Sequence, residues 1–122
     1  MSQLKLPKAL KIFVICGEPS GDVLAADAVK DLIDIYPGQV RLRGIGGTHL
    51  KAQGLESLFP MEDLSLMGLA EIVPHIPKLL GRIDLTVRAI IEGQPDIVLT
   101  VDAPDFSFRV VKSLRKKDCH FP

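Results

Sequence analysis

The carboxylates of two short segments are the residues whose types and spacing could do chemistry. In "DAPD", Asp102 follows an apolar run and Asp105 lies about one helical turn further on, with Pro104 stiffening the turn between them. Two carboxylates this close can have their proton affinities pushed apart, so that one serves as a base. Asp102, at the tip of the run, is the better candidate, whereas Asp105 can equally cap the helix that follows. The second segment is "ICGEPSGD", Ile15 to Asp22. It is neither a GxGxxG nor a Walker A loop, because Gly17 and Gly21 are four apart and no Lys-Ser/Thr follows. NAD and ATP therefore lose their main support. Pro19 forces Glu18 to be extended, Ser20 can cap a helix, Gly21 permits a close approach, and Asp22 suits a first helical turn. The segment reads either as a well-made strand-to-helix turn or as the wall of a ligand site. Glu18 fits the first reading least well and is a candidate to meet a sugar hydroxyl.

Other chemistries find less support. His49, His75 and His120 have no metal-ligand spacing with one another or with Cys16 and Cys119, so no metal site is expected. The two cysteines are expected as free thiols in a reducing compartment. Fifteen basic and fifteen acidic side chains cancel, which gives no net field to draw in nucleic acid. No apolar run approaches the roughly 20 residues needed to span a bilayer, and the first residues lack a signal-peptide core. A soluble or peripheral cytoplasmic protein is expected.

The elements that must position these residues alternate. "KIFVIC" (Lys11 to Cys16) reads as a buried strand. A helix is expected from Gly21 to about Ile35, with Leu24, Ala25, Ala28, Leu32 and Ile35 on its core side, and "YPG" ends it. "VRLRGIGG" gives a second strand and a glycine turn, taken as a supporting loop, before a short helix with Thr48 as its N-cap. "LESLF" reads as a short third strand. The longest helix carries Ile72, Val73, Ile76, Leu79, Leu80, Ile83, Val87, Ile90 and Ile91 on one side, its regular part beginning near Pro77. "PDIVLTVD" is then an apolar strand ending in Asp102, and "SFRVVKSLRKKD" the last helix. Such alternation predicts an α/β fold: a Rossmann-like parallel sheet with helices on both faces, in one domain over residues 1–122. A further strand would be expected to start at "CHFP", which leaves the Pro95 to Asp102 strand as an exposed edge prone to self-pairing. The apolar surface from Leu66 to Leu80, flanked by Lys78 and Arg82, reads either as core or as a seat for acyl chains or a membrane surface.

Taken in order, "GEPSGD", "GIGG", "MEDLSLMGLAEIVPHIPKLL" and "DAPDFSFR" resemble the N-terminal part of the lipid-A-disaccharide synthase family. The resemblance covers essentially the whole chain. It implies the truncated N-terminal, acceptor-side half of a GT-B glycosyltransferase, lacking a C-terminal UDP-sugar-binding domain. It also implies an inverting transfer of 2,3-diacylglucosamine from its UDP carrier to 2,3-diacylglucosamine 1-phosphate, without a cofactor or required metal, on the cytoplasmic face of the inner membrane. In that light Asp102 is the general base. Glu18, Ser20, Gly21, Asp22 and Asp105 face the substrate, and Leu66, Met67, Leu69, Ile72, Val73, Ile76, Leu79 and Leu80 meet acyl chains or the membrane. The turn "GGTHLKAQG" departs from the family, with His49 and Leu50 where a basic residue and a methionine are expected. The isolated chain is expected to be inactive. The alternatives are another GT-B sugar-nucleotide enzyme, or a non-catalytic Rossmann-like fragment or binding module.

Overall fold

The computed structural model describes residues 8–64 and 76–117. Three strands, β1 (Leu10–Cys16), β2 (Val40–Ile45) and β3 (Ile97–Val101), form one parallel sheet in the order β2-β1-β3. β1 is flanked on both sides, with Leu10 opposite Val40 and Cys16 opposite Val101. That position explains its unbroken apolar run: Ile12 to Cys16 are all buried, as expected of a strand covered on both faces. β3 pairs with β1 alone among the described residues, and Ile97 is 37% exposed.

Among the described residues, helices α1 (Pro19–Ile35), α2 (Thr48–Ala52), α3 (Ile76–Gly93) and α4 (Pro104–Lys116) connect or follow the strands. The crossover through α1 leads from β1 to β2, and the one containing α3 runs back across the sheet from β2 to β3. With right-handed crossovers these opposite directions place α1 and α3 on opposite faces. α1 packs on β1 and β3 and against α2, while α3 packs against α4. The expected α/β, Rossmann-like class is the one observed.

Several details differ from expectation. α1 begins at Pro19, whose fixed φ suits a first helical position, so Glu18 rather than Ser20 is its N-cap residue. Its buried side is Asp22, Ala25, Ala26 and Val29, leaving Leu24 63% exposed. α2 has Gly47, not Thr48, as its N-cap residue. The expected "LESLF" strand reduces to a single bridge between Gly44 and Ser57. In α3, Pro77 does sit in the first turn, and Leu79, Ile83, Val87 and Ile90 form the buried stripe while Leu80 and Ile91 are exposed. No described helix is long and apolar enough to cross a membrane.

Candidate functional site

Because β1 and β3 are parallel neighbours, the chain leaves both strands at the same edge of the sheet, and Gly17 lies beside Asp102. The Gly17 N–H donates to the Val101 carbonyl at 3.4 Å. A Cβ at Gly17 would stand 2.9 Å from the Asp102 carbonyl oxygen, and one at Gly21 3.0 Å from Asp102 Oδ2. A Cβ at Gly17 would force the backbone apart, and one at Gly21 would press on the Asp102 carboxylate. The Ser20 hydroxyl donates to Asp102 Oδ2 at 3.1 Å. Asp102 itself has φ +52, in the left-handed region where Asp is among the few tolerated residues. The small residues of "GEPSGD" thus wrap the carboxylate of the neighbouring strand.

A pocket of about 210 Å³ opens beside this contact, where Glu18, Asp102, Asp105 and Arg109 line it together with Leu64 and Phe106. Of the residues singled out from sequence, it brings together Glu18, Asp102, Asp105 and Leu79. Ser20 and Gly21 stand behind Asp102 rather than in the pocket wall. Sequence reasoning missed Arg109, the one cation lining the pocket among the described residues. Its signal was present, since Arg109 follows Asp105 by four residues and shares its helical face. Leu64 and Phe106 were also missed, being ordinary apolar residues until packed.

Asp22 lies elsewhere. It is 2% exposed, and its carboxylate reaches the start of α2. Oδ1 accepts the N–H groups of Gly47 at 2.9 Å and Leu50 at 3.1 Å. Oδ2 accepts that of His49 at 2.8 Å and lies 3.2 Å from the His49 ring Nδ1. Asp22 therefore does the work expected of Thr48, satisfying the free N–H groups of the α2 N-terminus from another element. Burial pushes its carboxyl up, but the N–H groups of His49, Gly47 and Leu50 and the His49 ring outweigh this and hold it below the ordinary value. His49 is thus a partner of Asp22.

The glycine turn after β2 packs inward. Gly44 has φ +132, and a Cβ there would collide with the backbone of Val14. At Gly46 a Cβ would meet the buried side chains of Leu50 and Leu55. The turn is a supporting loop, as its sequence suggests.

The apolar wall of the pocket is clamped from behind. Asp63 pairs with Arg82 at 2.8 Å and with Lys78 at 3.6 Å. The Arg82 guanidinium lies 4.8 Å from the centre of the Phe59 ring, and Phe59 meets Phe106 edge to face at 6.1 Å. The two cations expected to flank a membrane-facing surface are therefore engaged with Asp63. Leu79 is buried in the pocket wall and Leu80 is 57% exposed. Leu66, Met67, Leu69, Ile72 and Val73, with the side chain of Ile76, lie outside the described residues. Cys16, at the end of β1, is a buried free thiol whose Sγ donates to the Glu18 carbonyl at 3.3 Å. Burial pushes it up, and the carboxylates of Asp22, Asp102 and Glu18 add to this against the opposing Glu18 backbone contact.

Comparison with known proteins bears on what this arrangement serves. Residues 12–122 match the family model described as lipid-A-disaccharide synthetase. The chain is 50% identical over 115 residues to the lipid-A-disaccharide synthase of Rhodospirillum centenum, covering 94% of this chain and 29% of that protein. It is 42% identical over 106 residues to the synthase of Alcanivorax borkumensis, covering 87% of this chain and 27% of the relative. It is 40% identical over 107 residues to that of Pseudomonas aeruginosa, covering 88% and 28%. The chain thus spans under a third of the length of these relatives. Matched by the family model and by these relatives along nearly its whole length, the chain belongs to the lipid-A-disaccharide synthetase family.

Proposed function

We propose that this chain supplies the acceptor side of a glycosyl-transfer site, with Asp102 as general base. In this reading the acceptor is 2,3-diacylglucosamine 1-phosphate and the donor UDP-2,3-diacylglucosamine. Asp102 takes the proton from the acceptor 6-hydroxyl as its oxygen attacks the anomeric carbon of the donor. The bond to UDP breaks, and a β-1,6-linked disaccharide leaves with inversion. The observation that carries the reading is the state of Asp102. It lines a pocket at the carboxyl end of the sheet, where ligands bind in folds of this kind, and its Oδ1 accepts no hydrogen bond among the described residues.

Glu18 and Asp105 are assigned to sugar hydroxyls, and Arg109 to the acceptor's phosphate. Ser20 and Gly21 support Asp102, and Asp22 orders the neighbouring turn. Leu79 and Leu80, with Leu66, Met67, Leu69, Ile72, Val73 and Ile76, are assigned to acyl chains or to the cytoplasmic face of the inner membrane. The pocket, about 210 Å³, is below the roughly 300–1,000 Å³ of complete small-molecule sites, which suits one half of a cleft. UDP is assigned to a second, C-terminal half of the enzyme, so residues 1–122 on their own are inactive in this scheme.

The test uses a chimera in which residues 8–117 replace the matching stretch of the Rhodospirillum centenum synthase. Asp102→Asn in it should lower disaccharide formation about 10²- to 10⁴-fold, the range for a general base. Near-normal turnover would remove Asp102 from that role.

A further inference from the structure

The "GEPSGD" turn is built around a side chain just past the end of another strand, 82 residues from Ser20, and the contact is specific. Ser20 Oγ donates to Asp102 Oδ2 at 3.1 Å. Three features converge there. The left-handed backbone of Asp102 fixes where its Cβ starts, and so limits the directions the carboxylate can take. The bare backbone of Gly21 leaves room for Oδ2, which would stand 3.0 Å from any Cβ at that position. The Ser20 hydroxyl then selects one orientation, because the group is exposed and, among the described residues, this is the hydrogen bond that holds it. Ser20 has no competing local duty, since α1 carries no side-chain cap hydrogen bond.

We infer that Ser20 is a positioning residue for the transfer reaction: its hydroxyl ties Oδ2 and so presents Oδ1 to the acceptor hydroxyl. The inference rests on the reading of Asp102 as the base. It goes beyond that reading by giving the serine a task on the enzyme's own carboxylate and not on substrate. A base oxygen must come within about 2.6–3.2 Å of the oxygen whose proton it removes, and small misplacements at such a centre cost rate without costing binding.

Four variants of the same chimera test it. Ser20→Val removes the hydroxyl while keeping a branched side chain, and Ser20→Thr restores it in nearly the same shape. Ser20→Val should lower kcat about tenfold with KM changed less than about twofold. Ser20→Thr should recover most of that loss. In the Asp102→Asn background, Ser20→Val should cost nothing further, because the residue it acts through is already disabled. Melting temperatures of all four should agree, which separates positioning from folding. Unchanged turnover in Ser20→Val, an equal loss in Ser20→Thr, or a full further loss on top of Asp102→Asn would each overturn the inference. An inactive Asp102→Asn beside a normal Ser20→Val sinks the positioning role alone. An active Asp102→Asn, or a folded parent chimera without turnover, sinks the proposed function itself.

Discussion

Replacing Asp22 by Asn changes one oxygen to an amide and leaves the side-chain shape intact, so the cost reads out what the carboxylate does for α2. The remaining carbonyl can keep the N–H groups of Gly47 and Leu50, at 2.9 and 3.1 Å. The new NH₂ then faces the His49 N–H across 2.8 Å, where donor meets donor. One charge-assisted hydrogen bond is lost, worth about 1.5–3 kcal/mol, and a donor is left without its acceptor. Relief from burying a charge offsets part of this, so the expected loss is about 2 kcal/mol. In a domain of this size that lowers the melting midpoint by roughly 10 °C. Urea unfolding of the two chains at pH 7 measures it. The pH dependence supplies an internal check. The folded-state pKa of Asp22 lies below its ordinary value, so its stabilisation is complete above the unfolded value. It is lost as pH falls from about 4 through the folded value, because the unfolded chain takes up the proton first. The gap between wild type and Asp22→Asn should therefore narrow as pH falls below about 4. A gap under about 0.5 kcal/mol at pH 7, or one that does not change in acid, would refute the capping role.

Gly44→Ala should cost at least about 3 kcal/mol, since the residue combines a positive φ with backbone contact across the β1–β2 pair, and chemical denaturation would show it. A loss within about 0.5 kcal/mol would mean that the strand pair opens there easily. Cys16 should resist iodoacetamide at neutral pH until the chain is unfolded, because it is buried with its thiol pushed up in pKa. Peptide mapping that found it labelled as fast as a free thiol would contradict that burial.

What the sequence made legible was whatever depends on neighbours along the chain. The run Ile12 to Cys16 announces a strand covered on both faces, and the distance from Asp102 to Asp105 announces a turn entering a helix. What escaped depends on partners far away in sequence. Ser20 and Thr48 both have the chemistry of helix caps, and neither residue is the N-cap of its helix. The Ser20 hydroxyl meets Asp102, and the N–H groups that begin α2 are met by Asp22, 25 to 28 residues earlier. Local rules rank these residues correctly for a helix standing alone. They fail here because tertiary contacts supply a stronger partner. Leu24 fails for a related reason: apolar spacing places it on the core side, but the face that packs carries Asp22, Ala25, Ala26 and Val29. Asp102 and Glu18 could be singled out from sequence, whereas Arg109 needed the pocket to distinguish it from any helical arginine.

The strand order also sets a timetable for synthesis. β2 emerges only about 30 residues after its partner β1, whereas Lys11 of β1 waits 85 residues for Asp96, which introduces β3. At about 5–20 residues per second, the most apolar strand of the protein spends roughly 4–17 s with one flank unpaired on the ribosome. During that interval it is a natural client for a chaperone that recognises extended apolar segments. Synonymous codon changes between β2 and β3 that lengthen the wait should raise aggregation without altering a single residue of the finished chain.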